Sequence, residues 1–187
     1  ARALQDMTSG NDNTAVGHHA LHSNTTASHN TAVGESALEL NTTGTRNTGI
    51  GRSALASNTT ADRNTAVGFQ SLTTNTTGLY NTAVGDASLE DNTTGNYNAA
   101  FGQATLANNT TGSENTAFGT FCLDANSTGA YNTGVGYHTL SHCQTGERNT
   151  AIGRQALYNA THDQNTAVGY NALYDNTNGQ YNVAVGS

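Results

Sequence analysis

Nine asparagines sit in a pattern with known chemistry. Asn24, Asn41, Asn58, Asn75, Asn92, Asn109 and Asn126 each open an Asn-x-Ser/Thr sequon, as do Asn108 and Asn159. In a secreted chain that pattern accepts an N-linked glycan. Turn asparagines bonded to their own backbone would give the same spacing. The second reading is favoured, because another asparagine series without sequons is equally regular. Threonine pairs follow the same residues (Thr25-Thr26, Thr42-Thr43, Thr59-Thr60, Thr76-Thr77). Ranks of threonine at strand spacing are one route to ice binding, but adjacent side chains on an extended chain face opposite sides. Tyr80, Tyr97, Tyr131 and Tyr181 recur in a third series, in register with Arg46, Arg63 and Arg148. A tyrosine ring suits a sugar face or a protein contact, and an arginine suits an anion. These tyrosines, with Arg46 and Arg63, are the candidate ligand contacts.

Groups suited to metal or catalytic work do not converge. His18, His19, His22 and His29 cluster near the start, with His138 and His142 further on. None has zinc-ligand spacing. The Glu90-Asp91 pair does not recur, so no calcium turn repeats. Cys122 and Cys143 lie four places out of register in successive units, whereas a disulfide needs Cα atoms within ~7 Å. The expectation is a non-enzymatic chain with no catalytic residue, no metal and no cofactor.

The elements that position these groups are read from a repeat. Asparagine recurs at Asn13, Asn30, Asn47, Asn64, Asn81, Asn98, Asn115, Asn132, Asn149, Asn165 and Asn182. The interval is 17 residues, except for 16 between Asn149 and Asn165. The unit is N-T-A-V-G-x-x-A-L-x-x-N-T-T-G-x-x. Residues 1–12 form a partial unit, 13–181 ten units, and 182–187 the start of another. The whole chain reads as one array, expected to be a segment of a longer fibre because neither end carries a cap. Its strictest places are the first (Asn30, Asn47, Asn64, Asn81), the fifth (Gly34, Gly51, Gly68) and the ninth (Leu38, Leu55, Leu72).

A unit this short, with Gly- and Asn-marked corners, suits a brief strand and tight turns rather than a helix pair. Stacked units would pair strands about 4.8 Å apart and align Asn on Asn in hydrogen-bonded ladders. The fold expected is all-β, a parallel β-solenoid. If the fourth-place Val points inward, strand alternation sends the third-place Ala outward, and likewise Leu at the ninth and Ala at the eighth. Small residues on an outer face imply close packing against another copy, expected as a homotrimeric fibre.

Composition agrees. Leu, Ile, Val and Phe total 27 of 187 residues, while Asn and Thr total 25 and 32. An ordinary globular core needs more apolar residues than that. A net charge of −7, with six arginines and no lysine, excludes a cationic nucleic-acid surface. No apolar run approaches the ~18 residues of a membrane span.

N-T-A-V-G-x-x-A-L-x-x-N-T-T-G resembles the tandem repeats of bacteriophage tail-fibre-like and bacterial surface-fibre proteins. The V-G-x-x-A core, as in Val16-Gly17-His18-His19-Ala20 and Ile50-Gly51-Arg52-Ser53-Ala54, is similar to the head repeats of trimeric autotransporter adhesins. That resemblance implies homotrimeric β-rolls on a cell or virion surface that bind host structures, glycans among them. The Asn-Thr-Thr-Gly arm makes each unit longer than the adhesin repeat. The function expected is an extracellular fibre shaft or adhesin segment. The alternatives are a glycosylated matrix fibril, or a polysaccharide-binding or ice-binding module.

Overall fold

The computed structural model describes residues 2–187 as a parallel β-solenoid of stacked coils with no helix. Each coil contributes one three-residue strand: β1 (Thr14–Val16), β2 (Thr31–Val33), β3 (Thr48–Ile50), β4 (Thr65–Val67), β5 (Thr82–Val84), β6 (Ala99–Phe101), β7 (Thr116–Phe118), β8 (Thr133–Val135), β9 (Thr150–Ile152), β10 (Thr166–Val168) and β11 (Val183–Val185). They form one parallel sheet in chain order, paired in register, so that Ala32 lies beside Gly49 and Val33 beside Ile50. The short unit from Asn149 keeps this register: Ile152 still pairs with Val168.

Seventeen residues close a narrow loop only by reversing sharply. Three non-glycine places per coil have left-handed backbone, as at Ser36, Leu38 and Arg46, with φ of 56°, 52° and 58°. The glycine after each strand has φ between 129° and 143°, a region L side chains rarely enter. Every ninth-place leucine is left-handed, at φ 50–54°. That conformation costs about 1–2 kcal/mol. It is offset by full burial of the leucine side chain, which contributes about 1.5–3 kcal/mol. The leucine N–H is not lost either: Leu38 donates to the Ala54 carbonyl of the next coil at 3.0 Å.

The side-chain directions correct the inward-Val expectation. The third-place residues Ala32, Ala66, Ala83 and Ala100 are completely buried. The fourth-place residues face out, with Ile50 39% and Phe118 42% exposed. The reason is the width of the coil. A Cβ built on Gly49 would stand 3.4 Å from Leu38 Cγ and 3.1 Å from the Ala54 carbonyl oxygen, so nothing larger than alanine fits inside at that place. The eighth-place alanine and ninth-place leucine are both interior, for example Ala54 and Leu55. Strand alternation does not apply to them, because the leucine is left-handed rather than extended. The small residues therefore line the inside of the coil, and the argument from small outward residues to a second chain falls away.

The interior is as much amide as hydrocarbon. The backbone N–H of Asn47 donates to Asn30 Oδ1 at 2.8 Å, and Asn47 Nδ2 donates to the Ala61 carbonyl at 2.7 Å. The same pattern recurs at Asn64 and Asn81. Buried amides are tolerable only when paired, and these are.

Candidate functional site

The sequon asparagines form a second internal ladder. Asn24, Asn41, Asn58, Asn75, Asn92, Asn109 and Asn126 are completely buried. Asn41 Nδ2 donates both to Asn24 Oδ1 at 3.1 Å and to the Gly44 carbonyl at 3.0 Å. That carbonyl also accepts from Asn30 Nδ2 at 2.9 Å, so the two asparagine series meet on one oxygen per coil. A completely buried Nδ2 cannot carry a glycan in this fold; both hydrogens are engaged from Asn41 to Asn126, and Asn24 Nδ2 donates to the Ala27 carbonyl at 3.1 Å. The glycosylation reading is therefore corrected at these seven positions. Asn108 and Asn159 differ. They lie one place earlier in the coil, nearer the surface, and Asn159 Nδ2 donates to Asp175 Oδ1 at 2.7 Å.

The two threonines of each pair, which lie in a bend outside the strand, have different surroundings. Thr42 is half-buried and its hydroxyl donates to the Thr59 carbonyl at 3.1 Å, while Thr43 is exposed. Only one threonine of each pair is fully exposed, so the pairs do not make a two-rank ice face.

The tyrosine and arginine column lies on the outer surface, at the left-handed corner before each strand; Tyr80, Tyr97, Tyr131 and Tyr181 have φ 57–61°. Five of its members pair with one another. Tyr80 and Tyr97 stack with ring centroids 4.9 Å apart and planes 8° from parallel. The Arg63 guanidinium carbon lies 5.1 Å from the Tyr80 centroid, and the same arginine donates to the Tyr80 hydroxyl. Arg148 covers Tyr131 at 5.1 Å. Arg46 is exposed. Stacking along the rod occupies ring faces that a sugar would need, so this column does not offer a continuous saccharide platform.

A second aromatic group is not visible from single columns. Phe121 stacks on His138 at 4.9 Å, Tyr137 meets His138 edge-on at 4.3 Å, and His142 meets Tyr158 at 4.6 Å. Tyr158 stacks on Tyr174 at 4.9 Å, and Arg154 lies between Tyr137 and Tyr170. These residues come from the sixth, seventh, tenth and eleventh places of successive coils. Neighbouring variable columns had to be considered together to find them.

A continuous apolar file runs along the outer face of the sheet. Val16, Val33, Ile50, Val67, Val84, Phe101, Phe118, Val135, Ile152, Val168 and Val185 form one apolar file. Phe101 and Phe118 stack within it, 4.7 Å apart and 1° from parallel. The parallel file two residues earlier is threonine, apart from Ala99 and Val183. No charged residue occupies either file. Strand alternation alone assigns the fourth-place residues to the core, which hides this face in the sequence.

Titratable groups add little. His19 Nδ1 lies 3.2 Å from Glu39 Oε1 and stacks on His18 at 3.9 Å, an arrangement of surface pairs. Among the described residues no three His, Cys, Asp or Glu side chains come together as a metal set. Cys122 and Cys143 are free and buried, and desolvation pushes their thiols up to about 12 and about 11.

Neither a known protein family, nor a curated protein, nor a solved structure matches this chain.

Proposed function

We propose that this chain is the shaft of an extracellular fibre, on a cell or virion surface, built by self-association of solenoids through their sheet faces. Its work is mechanical: it projects a binding tip, or presents weak contacts along its length. The carrying observation is the uncharged Thr/Val face on every coil. An apolar file of this length on a lone soluble chain is unusual, and such patches mark interaction sites. The face is about 50 Å long, from eleven coils at ~4.8 Å, and roughly 10 Å wide, the length of a three-residue strand. That is about 500 Å² per copy for this segment, below the ~800 Å² per partner of a standard interface. Three copies around one axis, each presenting this face inward, would bury all of it.

Sedimentation equilibrium tests the reading. The wild-type chain is expected at three times its monomer mass. Ile50→Glu/Val84→Glu, which places charge on the face and nothing in the coil interior, is expected to sediment as a monomer with an unchanged β-type circular dichroism spectrum. A wild-type chain that stays a folded monomer at high concentration overturns the proposal.

A further inference from the structure

The seventeenth-place column contains one electrostatic mismatch. In rod order it runs Arg46, Arg63, Tyr80, Tyr97, Glu114, Tyr131, Arg148. The backbone N–H groups of Tyr97, Glu114 and Tyr131 donate to the carbonyls of Leu79, Asn96 and Ser113 at 3.0, 2.9 and 3.1 Å. The three residues are therefore held in line, one coil apart. Tyr80 is sandwiched by Arg63 on one side and Tyr97 on the other. Tyr131 takes Arg148 from the following coil. By the coil spacing, Tyr97 and Tyr131 lie roughly 10 Å apart, one on each side of the coil that carries Glu114. A shallow depression lined by Tyr97, Glu114 and Thr116 opens on this coil, with Tyr131 one coil beyond its lining. Glu114 is exposed, and its carboxylate has no hydrogen-bond or ion-pair partner among the described residues.

Aromatic faces carry negative potential, so an anion between two of them is mismatched and a cation is attracted. At a coil spacing of ~4.8 Å, the centre of this gap lies about 5 Å from each ring. That equals the separation at which Arg63 and Arg148 sit over their tyrosines, 5.1 Å in both cases. Elsewhere the column supplies its own cation. Here it supplies two ring faces and a carboxylate, and the cation is missing.

We infer that Tyr97, Glu114 and Tyr131 form a binding site for an organic cation, an alkylammonium group carried by a ligand. The two rings flank the cation and Glu114 neutralises it, with the Thr116 side chain at the edge of the slot. A quaternary ammonium suits the site best, because the rings accept its charge without needing hydrogen-bond donors. All its residues come from one chain, but Thr116 also belongs to the threonine file of the sheet face, so the titration is run on the Ile50→Glu/Val84→Glu chain as well as on the wild type.

Titration of the full chain with tetramethylammonium chloride, against equal sodium chloride, tests this by NMR of the tyrosine rings. The Tyr97 and Tyr131 ring signals are expected to shift saturably. Tyr80, covered on both faces, is the internal control. Glu114→Gln is expected to weaken binding several-fold. Glu114→Arg is expected to abolish it by filling the slot with the chain's own cation; arginine already occupies this place in three coils, so folding is preserved. Absence of a saturable shift in the wild-type chain overturns the inference, and so does undiminished binding by Glu114→Arg.

Discussion

Cys143 stands in the coil after Asn126 at the place where the seven preceding coils carry asparagine, and Asn126 Oδ1 is left buried without a donor. In each preceding step that oxygen accepts from the next asparagine, as Asn109 Oδ1 does from Asn126 Nδ2 at 2.8 Å. A thiol at 143 cannot make this bond and turns to the Gly146 carbonyl, with Sγ 3.8 Å from the oxygen. Ala160 follows in the next coil, and the asparagine series resumes only at Asn176.

Repairing this gap should be strongly non-additive. Cys143→Asn alone satisfies Asn126 but leaves its own Oδ1 facing Ala160, so the orphan acceptor moves one coil and stability changes by less than about 0.5 kcal/mol. Cys143→Asn/Ala160→Asn joins the ladder to Asn176 and removes the orphan. A gain of about 1–2 kcal/mol is expected, on the usual cost of a buried unsatisfied acceptor. Urea unfolding of the two variants measures both values, and equal gains from the single and double variants would contradict the ladder account.

Two glycines separate conformational need from crowding. A Cβ on Gly85 would lie 2.3 Å from the Gly102 carbonyl oxygen, and one on Gly95 2.3 Å from that of Gly112. Yet the Gly95 place already carries Ala27 and Ala61, both buried, while the Gly85 place is glycine in every unit. The difference is the backbone: Gly85 has φ of 140°, whereas Gly95 has no positive φ. Gly95→Ala should cost no more than about 1 kcal/mol. Gly85→Ala should cost about 3 kcal/mol or more, combining strain with a backbone collision. Thermal melts of both variants decide it, and similar losses would contradict the conformational explanation.

The solenoid, its period, its corners and its asparagine ladders were legible because each rests on identical residues stacking on themselves. The facing of Val and Ala was not. Alternation is a property of extended chain, and here extended chain lasts only three residues per coil. Leu38 and its equivalents sit in left-handed backbone, which is rare for leucine, and nothing in their spacing signals it. The sequons were ambiguous for the same reason: Asn41 has a glycosylation pattern on paper, but it lies inside the coil. Of the candidate ligand residues, the column was visible in the sequence. Its cation–aromatic pairing was legible only once Arg63 and Tyr80 were known to be adjacent on a common face.

The buried thiols give a pH dependence. Burial raises Cys122 from 9.0 to about 12 and Cys143 from 9.0 to about 11. Above pH 9 the unfolded chain loses thiol protons that the folded chain retains, so this contribution to stability is intact below pH 9 and declines as pH rises toward the folded values. The midpoint of thermal unfolding should fall more steeply between pH 9 and 11 for the wild type than for Cys122→Ala/Cys143→Ala. Tyrosine titration is common to both chains and cancels in the comparison. Parallel pH profiles would show that the thiols are not protected. Native alkylation by iodoacetamide should likewise be slow until the chain unfolds.

Leu89 and Val84 distinguish the coil interior from the proposed interface. Leu89 is completely buried, and Leu89→Ala should cost about 3–4 kcal/mol wherever it is measured, from lost transfer energy and the cavity left behind. Val84 is half-buried on the outer face beside Phe101. In a lone solenoid Val84→Ala removes partly solvated methyls and should cost no more than about 1 kcal/mol. In an assembled shaft the same methyls are buried by the neighbouring copy, so the cost grows, and the melting temperature rises with protein concentration as mass action requires. Melts of both variants over a range of concentrations are expected to show a concentration-independent loss for Leu89→Ala. For Val84→Ala they should show a loss that widens as the wild-type chain assembles. A Val84→Ala penalty that is small and flat with concentration would mean that the apolar face does not pack against a second copy.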